Sequence, residues 1–237
     1  FLCYIKNENR VDNGRNKLVQ TIYLLGTIPV DLVKSNFEVE DESNENEKKF
    51  IKVWDKSNDY RDSYIYKMSI PFNYKPYKVQ EEIMDNIVSL YKTSDNNIVR
   101  ALVYGKPGKG KSFIGKLLAK KLNGELATYI SLTTPGCGFR SLYKSASPKL
   151  DSPLIIQLDE IDVCIKKIHE EGIKDKHEWI ETSCYDKSSY NNFWSEFVTR
   201  FPYVIWILTM NSTPYQINRM DECYIRQNRV DLSVEYK

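Results

Sequence analysis

From about residue 76 onward, the hydrophobic and polar positions follow two periods. Short apolar runs predict buried strands over residues 101–104, 128–132, 154–158 and 203–208. Apolar residues at helical spacing predict amphipathic helices around residues 83–91, 113–122 and 191–200, and a shorter helix over 139–144. Strands that alternate with helices are joined by right-handed crossovers. The pattern therefore predicts an α/β fold, in which helices flank both faces of a mostly parallel sheet.

The region before residue 76 has a weaker pattern. Residues 18–25 and 67–70 are candidate strands, which indicates a small β or α+β region. Residues 38–49, EVEDESNENEKK, are polar and mostly acidic without a core pattern, and they predict an exposed loop. We therefore place the domain boundary after residue 75. Residues 1–75 form an N-terminal region of uncertain fold, and residues 76–237 form the α/β domain.

Composition narrows the class of protein. The 34 basic and 32 acidic residues nearly balance, without the basic excess typical of nucleic-acid-binding domains. Five cysteines without a C-x-x-C pair, and two histidines, match no zinc spacing and indicate free thiols in a reducing, intracellular compartment. No apolar run reaches the roughly 18 residues of a membrane span. Attachment to a membrane through a segment outside this chain stays open.

The strongest motif lies at residues 105–112, where GKPGKGKS fits G-x-x-x-x-G-K-[ST] between a predicted strand and a predicted helix. Its glycines let backbone N–H groups turn toward phosphate oxygens, and the helix N-terminus adds its positive end. We expect Lys111 to reach the β- and γ-phosphates and Ser112 to ligate Mg²⁺. The predicted contacts of ATP are Gly105, Lys106, Pro107, Gly108, Lys109, Gly110, Lys111, Ser112 and Phe113.

Two acids end the apolar run LIIQLDE at residues 154–160. Ligands of open α/β sheets bind at the carboxyl ends of strands. We expect Asp159 to hold Mg²⁺ and Glu160 to orient and deprotonate the attacking water. Paired acids also end strands on solvated loops, so this interpretation depends on the phosphate loop upstream. Asp162 is interpreted only as a residue at the start of a helix.

Polar residues follow two further elements. Asn211 comes after the predicted strand at 203–208 and could position the same water, although an ordinary Asn turn explains it equally well. Arg226 and Arg229 lie three residues apart, which places them on one side of a predicted helix, where both could serve one anion. In a monomer they would be solvated charges. In a ring they could reach the γ-phosphate of a neighbouring subunit as arginine fingers.

In this order the motifs resemble the AAA+ superfamily of ring ATPases, over roughly residues 70–237. GKPGKGKS is similar to its Walker A motif, and LIIQLDE is similar to its Walker B motif with the catalytic Glu. Asn211 corresponds to its sensor-1 residue, and Arg226 and Arg229 match the two Arg of its RPGR-type stretch, with Gln-Asn between them. Residues 130–162 and 225–236 further resemble the AAA branch of the mitochondrial chaperone that translocates the Rieske iron–sulfur protein.

The resemblance implies ATP and Mg²⁺ as cofactors, a homo-oligomeric ring of six or seven subunits, and ATP-driven remodelling or translocation of a macromolecule, with protein favoured. It also implies a helical lid, which would follow Lys237. Residues 170–189 are longer and more charged than the family pattern. A nucleic-acid motor and a nucleotide-bound scaffold with little turnover are the alternatives. Turnover that DNA or RNA stimulates with a steep salt dependence would favour the motor.

Overall fold

The computed structural model describes residues 2–12, 15–25, 50–57, 64–173 and 182–237. Backbone contacts divide the chain into two units, Phe1–Asn44 and Glu45–Lys237. The first unit contains an antiparallel hairpin of β1 (Leu2–Asp12) and β2 (Arg15–Leu25). The strand predicted over residues 18–25 lies within β2. The loop predicted over residues 38–49 lies outside the described residues.

A seven-stranded sheet organises the second unit, in the order β4-β3-β6-β7-β8-β5-β9. β4 pairs antiparallel with β3, and the other pairings described for this sheet are parallel. The mostly parallel sheet predicted from the sequence is therefore confirmed. The strands are β3 (Phe50–Lys56), β4 (Ile65–Pro71), β5 (Ile98–Tyr104), β6 (Glu125–Ala127), β7 (Leu154–Leu158), β8 (Val204–Met210) and β9 (Leu232–Glu235).

Six α-helices accompany these strands in the described part of the second unit. They are α1 (Lys78–Thr93), α2 (Ile114–Lys121), α3 (Phe139–Ala146), α4 (Ile161–Glu170), α5 (Lys187–Asn192) and α6 (Pro214–Met220). The helix predicted over 191–200 is instead the end of α5 followed by a π-helical turn, Phe193–Phe197, and a 3₁₀ turn, Val198–Arg200. No helix among the described residues is long and apolar enough to cross a membrane.

The sheet is buried on both faces. Successive strand residues point to opposite faces. Accordingly, Val99, Ala101 and Val103 of β5 lie in one core cluster, and Ile98 and Leu102 lie in the other. The apolar stripes of α1 and α2 fill the first cluster, and those of α3, α4 and α6 contribute to the second. Helices therefore cover both faces, as the sequence predicts.

The strand predicted over residues 128–132 is wrong in position. β6 spans Glu125–Ala127, and the chain leaves the sheet after it. The hydrophobic pattern is misleading for two reasons. Ile130 and Leu132 are buried in the core outside any strand, and Glu125 is an acid buried within one. A prediction from hydrophobic periodicity places an acid such as Glu125 on the surface, although a carboxylate can be buried in the core when it has a suitable partner.

Glu125 joins the β3–β4 hairpin to the rest of the sheet. Its carboxylate accepts a 2.6 Å hydrogen bond from Trp54 Nε1 and a 2.8 Å charged hydrogen bond from Lys67 Nζ. The Lys67 ammonium also lies 5.2 Å from the centre of the Trp54 ring. β3 pairs in parallel with β6 beside this cluster. The two strands, which precede the boundary expected at residue 75, therefore belong to the same sheet as β5–β9.

Replacing Glu125 by Ala should lower the free energy of unfolding by about 2 kcal/mol, because Trp54 and Lys67 lose their shared acceptor in a buried place. Urea denaturation measures the change, and Glu125→Gln, which keeps one acceptor oxygen, should fall between wild type and Glu125→Ala. Asp85→Ala is the control. It removes an ion pair with Lys121 on the exposed surface, which is worth less than about 1 kcal/mol. Equal losses at both positions would contradict this role of Glu125.

Candidate nucleotide-binding site

The glycine loop 105–112 leaves the carboxyl end of β5 and enters α2 through a 3₁₀ turn, Lys111–Phe113. The strand–loop–helix context that the motif requires is therefore present. Gly105 and Gly110 have φ values of 148° and 97°, which side-chain-bearing residues rarely adopt. A Cβ on Gly105 would also lie 2.5 Å from the Tyr236 carbonyl oxygen. The backbone path thus requires glycine at both positions.

Gln80 supports this loop from α1. Its side chain is fully buried, donates a 3.1 Å hydrogen bond to the Gly110 carbonyl and accepts one of 3.0 Å from the Tyr77 backbone N–H. This role of Gln80 was not predicted from the sequence. Its spacing could have indicated that it is buried. Gln80 lies three residues before Ile83 and seven before Ile87, on the apolar stripe of α1.

The ammonium of Lys111 lies at the centre of the candidate site. It donates hydrogen bonds to the carbonyl oxygens of Gly105 (2.7 Å) and Lys106 (2.9 Å) and to Asn211 Oδ1 (2.9 Å). The residue is only 7% exposed. Burial lowers the pKa of Lys111 from its usual value, and the carboxylates of Asp162, Asp159 and Glu160 offset this only in part. The structure thus brings Lys111 and Asn211 into contact, with the acids nearby.

The two acids after β7 are exposed and held by Thr209 of β8. The Thr209 hydroxyl donates to Asp159 Oδ1 at 2.7 Å and accepts from the Glu160 backbone N–H at 3.3 Å. Glu160 has φ 54° and ψ 45°, the left-handed region that glycine favours. Such a conformation costs about 1–3 kcal/mol and is concentrated at functional sites. The strain at Glu160 is therefore consistent with the role predicted for it.

One amide side chain connects the phosphate loop with the acids. Gln157 is buried in β7, and its Nε2 donates to the Ser112 carbonyl at 3.0 Å and to both Asp159 carboxylate oxygens at 3.1 Å. Its Oε1 accepts from the Gly115 backbone N–H at 3.1 Å. The Ser112 backbone and the Asp159 carboxylate are therefore both bonded to the same amide nitrogen. This role of Gln157 was not predicted from the sequence, although a single polar residue in the apolar run LIIQL marked the position.

The chemistry of Ser112 and Asp159 fits a magnesium ion. A hydroxyl and a carboxylate are the hard oxygen donors that Mg²⁺ prefers, and Mg²⁺ commonly takes one or two protein ligands while phosphates and waters complete its shell. Within the described residues, no group of three or more His, Cys, Asp or Glu could hold a metal ion. Because Mg²⁺ keeps few protein ligands, the hydroxyl of Ser112 and the carboxylate of Asp159 suit a cation that arrives with a phosphate ligand.

An aromatic group lies beside the loop. The Phe113 ring lies 4.6 Å from that of Tyr74 and 6.4 Å from that of Phe72, and Tyr77 meets Tyr74 edge-on at 5.9 Å. Phe113 and Tyr77 are exposed, with 37% and 63% of their surfaces accessible. The exposed parts of these rings offer an apolar surface next to the phosphate-binding loop for the flat part of a ligand.

The helical arrangement predicted for Arg226 and Arg229 is wrong. The segment forms turns with an isolated bridge between Gln227 and Val230, and Asn228 has a left-handed φ of 74° that interrupts any helix. The two side chains differ accordingly. Arg226 is exposed, whereas Arg229 is 4% exposed. The Arg229 guanidinium donates to Asn191 Oδ1 at 2.6 Å, to Ser195 Oγ at 3.4 Å and to the Cys223 carbonyl.

Strand directions separate Arg226 from the loop in the same chain. β9 runs parallel to β5, with Leu232 opposite Ala101 and Glu235 opposite Tyr104. Arg226 precedes β9, whereas the glycine loop follows β5. The structure therefore brings Lys111, Asn211, Ser112 and the two acids together, but it does not bring Arg226 or Arg229 to them.

A glycine loop between a parallel strand and a helix, with a buried Lys and two acids at the same edge of the sheet, defines a phosphate-loop nucleotide-binding protein. The family model described as "ATPase family associated with various cellular activities (AAA)" matches residues 101–236. The chain therefore belongs to the AAA family, which confirms the predicted fold class and supports ATP binding and hydrolysis. Among curated proteins, no similar sequence was found.

Gln157→Leu should weaken ATP binding about 10-fold. Leu has about the size of Gln but no amide group, so it cannot make the hydrogen bonds that hold Ser112 and Asp159. Titration with a fluorescent ATP analogue measures the change. Gln216→Leu is the control, because Gln216 is an exposed residue that caps α6, and its loss should leave affinity within about 2-fold. If the two variants bind nucleotide equally well, Gln157 does not organise the site.

Proposed function

We propose that this protein is a Mg²⁺-dependent ATPase that works as a ring of identical subunits and remodels or moves a macromolecule, with protein as the substrate. The observation that carries the ATPase proposal is the contact between Lys111 and Asn211 beside Asp159 and Glu160. The resemblance of residues 130–162 and 225–236 to the chaperone branch of the family supports a role as a chaperone or translocase.

ATP binding exchanges the partners of Lys111. Its ammonium donates to three neutral oxygens, and triphosphate oxygens would replace them with negatively charged acceptors, which adds an attraction between opposite charges. The N–H groups of loop 105–112 and the start of α2 cradle the same phosphates. Ser112 and Asp159 would hold Mg²⁺, which neutralises charge on the β- and γ-phosphates when bound. The exposed aromatic surface of Phe113 and Tyr77 would contact the base.

Hydrolysis requires a base and an orienting group. The exposed carboxylate of Glu160 takes a proton from water while the water oxygen bonds to the γ-phosphorus. The bond from that phosphorus to the β–γ bridging oxygen breaks, which releases ADP and inorganic phosphate. Asn211, no longer bonded to Lys111, offers its amide to the water or to the γ-phosphate.

Arg226 completes the site of a neighbouring subunit in this proposal. It is exposed, and it lies before β9 while the glycine loop lies after β5. An exposed guanidinium that does not meet the γ-phosphate of its own chain is suited to stabilise transition-state charge in trans. The same role for Arg229 would require it to leave three acceptors in its own chain.

Glu160→Gln should bind ATP within about 3-fold of wild type and lose at least about 100-fold in kcat, because the amide cannot take the proton. Phosphate release and binding of a fluorescent ATP analogue measure the two effects. Lys111→Ala is the comparison, and it should lose binding itself. Wild-type turnover in Glu160→Gln would remove that residue as the base, and absence of turnover in wild type would remove the ATPase proposal.

Mixing two inactive variants tests whether Arg226 acts in trans. Arg226→Ala subunits keep their phosphate loop and Lys111→Ala subunits keep their Arg226, so a mixed ring contains some complete sites. Phosphate release by the mixture should exceed that of either variant several-fold. Arg200→Ala is the control, because it removes another exposed Arg. Assayed without a second variant, it should hydrolyse ATP at the wild-type rate. A mixture no more active than its components would contradict a shared site.

A further inference from the structure

Asp162 is more deeply buried than its position at the start of α4 requires. It is 4% exposed, although an acid in the first turn of a helix stabilises the helix from the solvated surface. Its Oδ2 accepts hydrogen bonds from the Ser212 backbone N–H (3.0 Å) and hydroxyl (2.6 Å). Its Oδ1 is buried without a hydrogen-bond partner in the protein. An incompletely paired buried carboxylate is unfavourable for folding, which indicates a different use.

The partner of Asp162 lies next to the predicted sensor residue. Ser212 follows Asn211 directly, and Asp162 lies two residues after Glu160. Thr209, two residues before Asn211, forms a second link through its hydrogen bonds to Asp159 and to the Glu160 backbone. Asn211 is therefore held between two anchored residues, both tied to the segment that carries Glu160.

These links matter most after nucleotide has bound. In the structure, Asn211 Oδ1 is also held by Lys111. A triphosphate that draws Lys111 to its own oxygens removes that restraint, and the links through Thr209 and Ser212 are left to position Asn211. Burial lowers the pKa of the Lys111 ammonium, and the nearby Asp162 carboxylate partly offsets that shift. Asp162 thus contacts the loop of Asn211 and lies near Lys111.

We propose that Asp162 is a positioning residue for ATP hydrolysis. By binding Ser212 it fixes the amide of Asn211 opposite the carboxylate of Glu160, so that both groups meet one water molecule. The inference rests on the proposed ATPase function and adds a residue to it. Misplacement of a catalytic group by about 1 Å can lower a rate about 100-fold, so a buried link of this kind affects kcat more than binding.

Steady-state ATPase kinetics of the full chain test the proposal, at a concentration where the specific rate no longer depends on dilution. Asp162→Ala should lower kcat at least about 10-fold and change KM less than about 3-fold. Asp162→Asn keeps an oxygen that accepts from Ser212, so its kcat should lie between those of Asp162→Ala and wild type. Ser212→Ala should lower kcat about 5-fold. Thr213→Ala, which removes the neighbouring hydroxyl that caps α6, should stay within about 2-fold of wild type.

The Asn211→Ala background separates positioning from simple structural support. Because Asp162 acts through Asn211, adding Asp162→Ala there should lower kcat less than about 2-fold further. An equal loss in both backgrounds, or a change confined to KM, would overturn the proposal. The proposal would also be overturned if Asp162→Asn, Asp162→Ala and Ser212→Ala all fold and all keep the wild-type kcat. If wild type hydrolyses ATP and Glu160→Gln does not, such results refute only the role of Asp162. An inactive wild type refutes the ATPase function as well.

Discussion

The parallel pairing of β7, β8 and β5 is the constraint on which the candidate site depends. Leu158 lies opposite Leu208, and Tyr104 lies opposite Met210. The residues that follow these strands therefore emerge at one edge of the sheet, and the Gly105 backbone N–H donates to the Met210 carbonyl at 3.2 Å. Three segments far apart in the sequence supply the loop, the acids and Asn211. Main-chain register, set by the buried strands, therefore brings these segments to one edge of the sheet.

Buried polar side chains add further links across this edge of the sheet. Gln157, Thr209 and Asp162 each bond across two segments, and Gln80 adds a support from α1. Because hydrogen bonds gain strength where water is excluded, such links hold catalytic groups well, but each buried group needs its partner. The ammonium of Lys111 meets this condition with neutral oxygens, which phosphate oxygens can displace. The structure therefore combines rigid supports with one set of exchangeable bonds.

The sequence predicted well what depends on local pattern. The glycine loop, the acids after β7 and the helices around it follow from motif and periodicity, and each lies where expected. The contacts of Gln157, Thr209 and Asp162 were not predictable, because each depends on strand order and on a partner from a distant segment. β6 was misplaced because a buried acid resembles a surface residue. The helix predicted at Arg226–Arg229 was wrong because hydrophobic periodicity does not reveal that Asn228 has a left-handed backbone conformation.

The difference between the two arginines follows from how their turn is held. Arg100 of β5 binds both carboxylate oxygens of Asp231, at 2.7 and 3.0 Å, and donates to the Asn228 carbonyl at 2.7 Å. Arg229 fixes the other side of the turn through Asn191, Ser195 and Cys223. A guanidinium offers its five N–H groups in a rigid fork, so one residue can hold several main-chain and side-chain oxygens in place. Under the shared-site proposal, Arg229 therefore supports the turn, and Arg226 on its exposed face is the residue available to a neighbouring subunit.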